Sequence, residues 1–163
     1  MPNVADMLIA RPQGLFSRSY SVCDEDGNTV AELAIGMLKE GAVLHHDGKS
    51  YRIERAEFMK GPWCLKDDDA VVFEAHKPTM VPDRFTTIVK NASLELSIKG
   101  RLMRRFIVVG PDWADLGYIR RVPGLPGRLE IHLSDLIPVL AQLFMLFQAV
   151  VLWKRVDSSQ PDR

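Results

Sequence analysis

As far as Leu133, the chain alternates apolar and polar residues with a period of two. Leu94-Glu95-Leu96-Ser97-Ile98-Lys99 alternates strictly, as do Leu129-Glu130-Ile131-His132-Leu133 and most of Thr29 to Ile35. That period is the mark of strands buried on one face. Residues that preset a bend or tolerate positive φ punctuate it: Asp26-Gly27, Asp47-Gly48, Gly61-Pro62, Asp67-Asp68-Asp69, Lys90-Asn91, Gly110 to Asp115 and Pro123 to Gly127. Between these turns the pattern predicts eleven strands, at 20–24, 29–35, 42–46, 50–57, 63–66, 70–76, 84–90, 93–99, 102–109, 116–122 and 128–133. A twelfth is placed near Leu15 to Arg18. Short strands at 8–12-residue intervals, with no helical pattern between them, predict an antiparallel meander closed as a sandwich or barrel.

The last segment breaks the period. Leu136 to Trp153 is 18 residues without a charge, interrupted only by Pro138, Gln142 and Gln148. Ser134 or Asp135 supplies an N-cap, Pro138 falls in the first turn where its missing N–H is harmless, and Lys154 and Arg155 close the C-terminus against the helix dipole. The thirteen large apolar side chains of this helix point in every direction around its axis. Such a helix must be enclosed on all sides, in protein or in lipid. A barrel of eleven or twelve strands leaves a lumen wide enough for a helix about 10–12 Å across. The expected fold is therefore mainly β: a closed antiparallel barrel of about 12 strands around one buried hydrophobic C-terminal helix. The chain divides into a flexible N-terminal segment at 1–14, the barrel at 15–156 with its helix at 134–155, and a disordered tail at 157–163. Two alternatives use the same segment differently. A tail-anchored protein would place it in a bilayer, whose span it just reaches; a carrier of an apolar ligand would leave the lumen open and the helix outside.

Composition narrows the function classes. A chain of 163 residues, 47% apolar and 26% charged, fits one globular domain. Its 21 Lys and Arg balance 21 Asp and Glu, so no global charge favours nucleic acid. Two cysteines, Cys23 and Cys64, are too few for a disulfide scaffold. The N-terminus has neither a basic start nor an apolar run of signal-peptide length. A cytoplasmic protein is expected, with reduced cysteines and an unused Asn91-Ala92-Ser93 sequon.

Motifs with catalytic or metal chemistry fall away on inspection. Gly48-Lys49-Ser50 looks like the end of a phosphate-binding loop, but Val43 stands where the first glycine is needed and Tyr51-Arg52-Ile53-Glu54 alternates as a strand. Asp24-Glu25-Asp26-Gly27-Asn28 looks like a calcium loop, but Thr29 and Ile35 occupy the glycine and bidentate-acid positions. Both are expected to be hairpin turns. His45, His46, Cys64, His76 and His132 are scattered, with no ligand pair on one strand face. Asp67-Asp68-Asp69 suits a solvated turn. No metal, cofactor or enzymatic activity is expected.

A layout of residues does resemble a known family. It opens with Phe16-Ser17-Arg18-Ser19-Tyr20-Ser21-Val22 and the Asp24–Asn28 turn. Tyr51-Arg52-Ile53, Gly61-Pro62-Trp63-Cys64-Leu65 and Ala75-His76-Lys77-Pro78-Thr79 follow. Phe106-Ile107-Val108-Val109, Leu116-Gly117-Tyr118-Ile119-Arg120-Arg121 and the apolar helix complete it. From Leu15 to Val156 this is similar to the tubby C-terminal-like superfamily, nearest its LURP-one-related and phospholipid-scramblase branches. The resemblance implies a twelve-stranded barrel around its C-terminal helix, and a binding function at phosphoinositides or other membrane lipids. The phosphoinositide-binding residues of tubby proteins have no counterparts that can be assigned here. The proline-rich segment, cysteine cluster and acidic calcium loop of scramblases are missing.

Charge is balanced overall but not along the chain. Residues 20–76 carry 12 acidic and 6 basic side chains, whereas 77–128 carry 10 basic and 4 acidic. If strands near in sequence are near in space, the second block forms a basic side. Its candidate anion- or phospholipid-binding residues are Lys77, Arg84, Arg101, Arg104, Arg105, Arg120 and Arg121; the alternative is that the two blocks pair with each other. One member of each pair, Arg104-Arg105 and Arg120-Arg121, must point toward the core side. That member has to sit at a barrel end or find a carboxylate. The expectation is a non-enzymatic binding or scaffold module, peripheral to a membrane, whose partner is an anionic phospholipid or a protein, with no nucleic acid, no integral insertion and an open oligomeric state.

Overall fold

The computed structural model describes residues 7–14, 18–36, 41–57, 60–76, 84–89, 92–98, 105–111 and 114–159. The first six strands are β1 (Leu8–Pro12), β2 (Ser19–Cys23), β3 (Thr29–Ile35), β4 (Ala42–His46), β5 (Lys49–Glu57) and β6 (Lys60–Asp67). The second six are β7 (Ala70–His76), β8 (Arg84–Val89), β9 (Ala92–Ile98), β10 (Arg105–Val109), β11 (Asp115–Arg121) and β12 (Leu129–Leu133), and the chain ends in α1 (Val139–Ser159). Among the described residues the protein is mainly β, one antiparallel sheet with a single C-terminal helix. Every strand pairs with its sequence neighbours, and β1 pairs with β12 as well as β2, so the strand order returns on itself as a closed barrel.

Alternation decides which residues face inward. On β3 and β4, Ala31, Leu33, Ala42 and Leu44 are buried while their neighbours are open, and Leu33 lies opposite Leu44. The same face continues through Tyr51 and Ile53, Trp63 and Leu65, and Phe73 and Ala75. Asp47 (φ 51°) and Gly48 (φ 73°) make a two-residue loop with both φ positive, which matches the twist of the flanking strands. Asp24 holds its own turn by accepting from the Asn28 N–H and side-chain amide. Both loops are the hairpin turns that the spacing predicts. At Gly117 (φ 114°) any Cβ would run into the His132 carbonyl, so β11 crosses β12 at a point only glycine can occupy.

Inside the barrel lies α1. Leu143, Phe144, Met145, Leu146 and Phe147 are all 0% exposed. At 3.6 residues per turn, five consecutive positions cover the full circumference, so protein surrounds the helix. Phe147 meets the edge of Trp63 with centroids 5.0 Å apart, Phe144 stacks near Phe73 at 6.4 Å, and Trp153 meets Phe106 at 4.5 Å. Gln148 exchanges hydrogen bonds with Thr87 of β8, at 3.0 and 3.2 Å. The walls α1 touches thus include β6, β7, β8 and β10. An open lumen with the helix outside is not what the structure holds. Among the described residues, no helix is long and apolar enough to cross a membrane.

Several boundaries differ from expectation, and some predicted stretches lie outside the described residues. β1 lies within the stretch 1–14 taken as flexible, pairs on both edges and buries Leu8, Ile9 and Ala10. The predicted twelfth strand near Leu15 to Arg18 falls mostly outside the described residues, as do 102–104 at the predicted start of β10. The helix begins at Val139, not at 134, because a residue before proline is steered out of the α region and Ile137 precedes Pro138. Ser134 caps a separate turn: its hydroxyl accepts from the Leu136 N–H and its carbonyl from Ile137, while the Pro138 carbonyl accepts the first helical bond from Gln142. Leu136, expected inside the helix, is therefore 81% exposed. At the far end α1 continues to Ser159, three residues into the segment taken as a disordered tail; 160–163 lie outside the described residues.

Candidate functional site

A meander sends alternate turns to opposite mouths of the barrel. The β2–β3, β4–β5, β6–β7 and β10–β11 turns and the β12–α1 link share the mouth where α1 begins. Among the described residues, that rim carries nine acidic side chains: Asp24, Glu25 and Asp26; Asp47; Asp67, Asp68 and Asp69; Asp115; and Asp135. Lys49 leans on Asp67 at 3.2 Å, and Arg52 reaches the Asp68 carbonyl and Asp69. The opposite rim is basic. Arg11 and Arg18 flank the β1–β2 connection, Arg105 opens β10, Arg121 closes β11, Arg128 precedes β12, and Lys154 rides on α1 as it leaves the lumen. Glu57, which ends β5, sits on this same rim. The charges thus separate along the barrel axis, with the basic rim at the negative end of the helix dipole.

Three of the predicted anion-binding residues, Lys77, Arg101 and Arg104, lie outside the described residues. Arg84 is the first residue of β8. The other three are divided by strand parity. Arg105 and Arg120 are cross-strand partners on the outer face. Arg105 stacks 4.1 Å over the Tyr118 ring, which lies against His132 at 4.7 Å. Arg120 meets Glu130 at 2.7 Å, and His132 meets the same carboxylate at 3.1 Å. Burial opposes ionisation of Glu130, but hydrogen bonds from His132 and Arg120 and the arginine's charge outweigh it and hold the carboxyl below its usual range. On this outer face, self-pairing consumes Arg120.

Arg121 takes the other route. It shares the inward face with Ile119 and escapes the core by ending its strand at the barrel mouth, its guanidinium 4.9 Å over the Trp153 ring. There it lines a cavity of about 480 Å³ together with Tyr20, Trp153 and Lys154. Val122, Leu125, Pro126, Leu129 and Val150 form the apolar part of the wall. The β11–β12 connection that supplies much of it is tied by Val122 N–H to the Arg128 carbonyl, Leu125 N–H to Val122 and Arg128 N–H to Leu125. Burial raises the Tyr20 phenol, an effect partly offset by Arg121. Desolvation lowers the Lys154 ammonium, and the Arg18 charge pushes the same way. The Trp153 indole N–H, cut off from solvent, has no hydrogen-bond partner among the described residues. Of these residues the sequence singles out Arg121, through its parity. Tyr20 and Trp153 come from opposite ends of the chain and meet only because the barrel closes around its helix.

Other chemistry in the described part is sparse. Cys23 and Cys64 are free thiols, and burial raises the Cys64 pKa above its usual value. No group of three or more His, Cys, Asp or Glu among the described residues is placed to hold a metal ion. Comparisons with protein-family models, curated proteins and solved structures find no match to this chain.

Proposed function

We propose that this protein is a non-enzymatic binding module of the tubby-like kind, which docks its basic mouth onto anionic phospholipid headgroups at a membrane surface. The axial separation of charge carries this reading. Arg11, Arg18, Arg105, Arg121, Arg128 and Lys154 converge on one rim, while acidic turns crowd the other. A negatively charged bilayer attracts the first rim and repels the second, so electrostatics fixes an orientation as well as an affinity. The resemblance in layout to tubby-like barrels, with a helix inside a twelve-strand meander, supports the same class of function. Each arginine or lysine near such a surface contributes about 1 kcal/mol, so the rim would act through its sum and would be weakened by salt within a Debye length of about 10 Å at 0.1 M.

The test is co-sedimentation with vesicles of phosphatidylcholine alone or mixed with phosphatidylserine or a phosphoinositide. Binding is expected to need the anionic lipid, to fall steeply between low and high salt, and to weaken about fivefold for each of Arg11→Gln and Arg128→Gln, the equivalent of about 1 kcal/mol. Lys49→Gln, on the acidic rim, should change nothing. Equal binding to neutral vesicles, or binding indifferent to salt, would refute the docking.

A further inference from the structure

We infer that copies of this chain associate head to tail, the Leu136 turn at the acidic mouth of one copy seating in the cavity at the basic mouth of the next. The inference goes beyond the docking reading, which leaves the acidic mouth without a role. Both halves of the contact are on this chain. Leu136 is 81% exposed, the most open of the large apolar side chains among the described residues, and Val139, the first residue of α1, is 39% exposed. Leu136 follows Asp135 directly, in the link that shares its mouth with the acidic turns. Water is a poor cover for a protruding leucine, and an apolar knob ringed by acids is matched by an apolar socket ringed by bases.

The opposite mouth offers that socket. Val122, Leu125, Pro126, Leu129 and Val150 wall a cavity of about 480 Å³, room enough for a leucine side chain and part of its turn. Leu125 on its lip is 46% exposed. Arg11, Arg128 and Lys154 stand at this mouth, and no Asp or Glu is among the residues lining the cavity. Trp153, 5% exposed, lines it with an indole N–H that has no acceptor among the described residues. Buried donors are almost always satisfied, and the Asp135 carboxylate, arriving with Leu136, can supply the acceptor. Because knob and socket lie at opposite ends of the barrel axis, the contact is heterologous. A copy filled at one mouth still offers the other, so association propagates as a row and does not stop at a pair. A row hides the basic mouth of every copy but one, so association and membrane docking compete for the same surface.

Sedimentation velocity of the full chain over a range of concentrations, without lipid, tests the contact. The mean mass is expected to rise with concentration past that of two copies and to fall with added salt, which screens the two rims. Leu136→Gln and Leu125→Gln alter exposed positions and leave the charge unchanged, so each should keep the parent's thermal midpoint and weaken association by about tenfold or more. Mixing the two variants restores a single junction, since one keeps the socket and the other the knob. The mixture should therefore form pairs and nothing longer. Asp135→Asn should weaken association about threefold while binding anionic vesicles as the parent does. A parent that stays monomeric at every concentration, a mass that stops at two copies, unchanged association in either leucine variant, or a mixture that forms no pairs would each overturn the inference. Association by a parent that ignores anionic vesicles would uphold the contact and refute the docking; anionic vesicles that disperse the rows would uphold both.

Discussion

Thr87 and Gln148 stand 61 positions apart and touch only if α1 runs through the lumen. Thr87 is 0% and Gln148 1% exposed, so water cannot replace either partner. Thr87→Val keeps the shape of the side chain and strips both hydrogen bonds from the Gln148 amide. A buried polar group left unpaired costs about 1–3 kcal/mol. Taking about 2 kcal/mol, and a shift of roughly 2–4 °C per kcal/mol for a chain of this size, the midpoint of thermal unfolding should fall by about 4–8 °C. Gln148→Leu strands the Thr87 hydroxyl instead and should cost about 1–2 kcal/mol. Combining the two leaves no polar atom unpaired, so the double variant should lie within about 0.5 kcal/mol of the parent or above it. Urea denaturation of all four proteins reads the cycle directly. A coupling of at least about 1.5 kcal/mol is expected. If the single costs simply add, or if Thr87→Val is neutral, the two side chains are not in contact and the helix does not occupy the lumen as described.

Two further tests probe the same packing and its outer face. Phe147→Ala removes the ring against Trp63 and should cost about 3–5 kcal/mol, read by urea denaturation alongside altered tryptophan emission; a cost under about 1 kcal/mol would mean that the helix is not gripped there. The Glu130 carboxyl is held below the ordinary carboxylate range in the folded protein, so its stabilising effect is complete above the ordinary value and is lost as pH falls through the depressed folded value. Glu130→Gln should therefore be less stable than the parent by about 1 kcal/mol at neutral pH, with the gap closing in acid; a gap that is constant with pH would exclude the carboxylate as its cause.

Period and punctuation were enough to place most strands, because an inward residue on a meander strand has one requirement, to be apolar, and its neighbours have the opposite one. Thr29–Ile35, Ala42–His46 and Ala70–His76 follow their predicted bounds residue for residue. β1 escaped detection for the same reason in reverse. Leu8, Ile9 and Ala10 are buried together, so no alternation survives, and Pro12 argues against a strand unless the partner register is known. The helix start was ambiguous because a cap at Asp135 and a proline in the first turn are locally acceptable. The conformational restriction on Ile137, together with its burial while Leu136 turns outward, resolves it. Charge was readable as blocks along the chain, and its direction in space was not. Which rim each acidic or basic turn joins depends on strand order, which a single hairpin does not reveal.

The filler of the lumen and the floor of the cavity are one element. Phe144 and Phe147 are enclosed by strands on every side and fix the axial position of α1. Trp153 lies six residues beyond Phe147, about 9 Å along the helix axis, which brings it to the mouth where β11 ends. Arg121 is carried there by a different constraint, the parity of a strand whose inward face tolerates charge only at its two ends, where the barrel opens. The cavity therefore depends on the helix keeping its depth. A substitution that lets α1 slide by one turn would move Trp153 about 5.4 Å relative to Arg121 and separate ring from guanidinium. Weaker docking at the basic mouth without loss of fold is then expected from altered depth in the lumen as much as from altered charge at its rim.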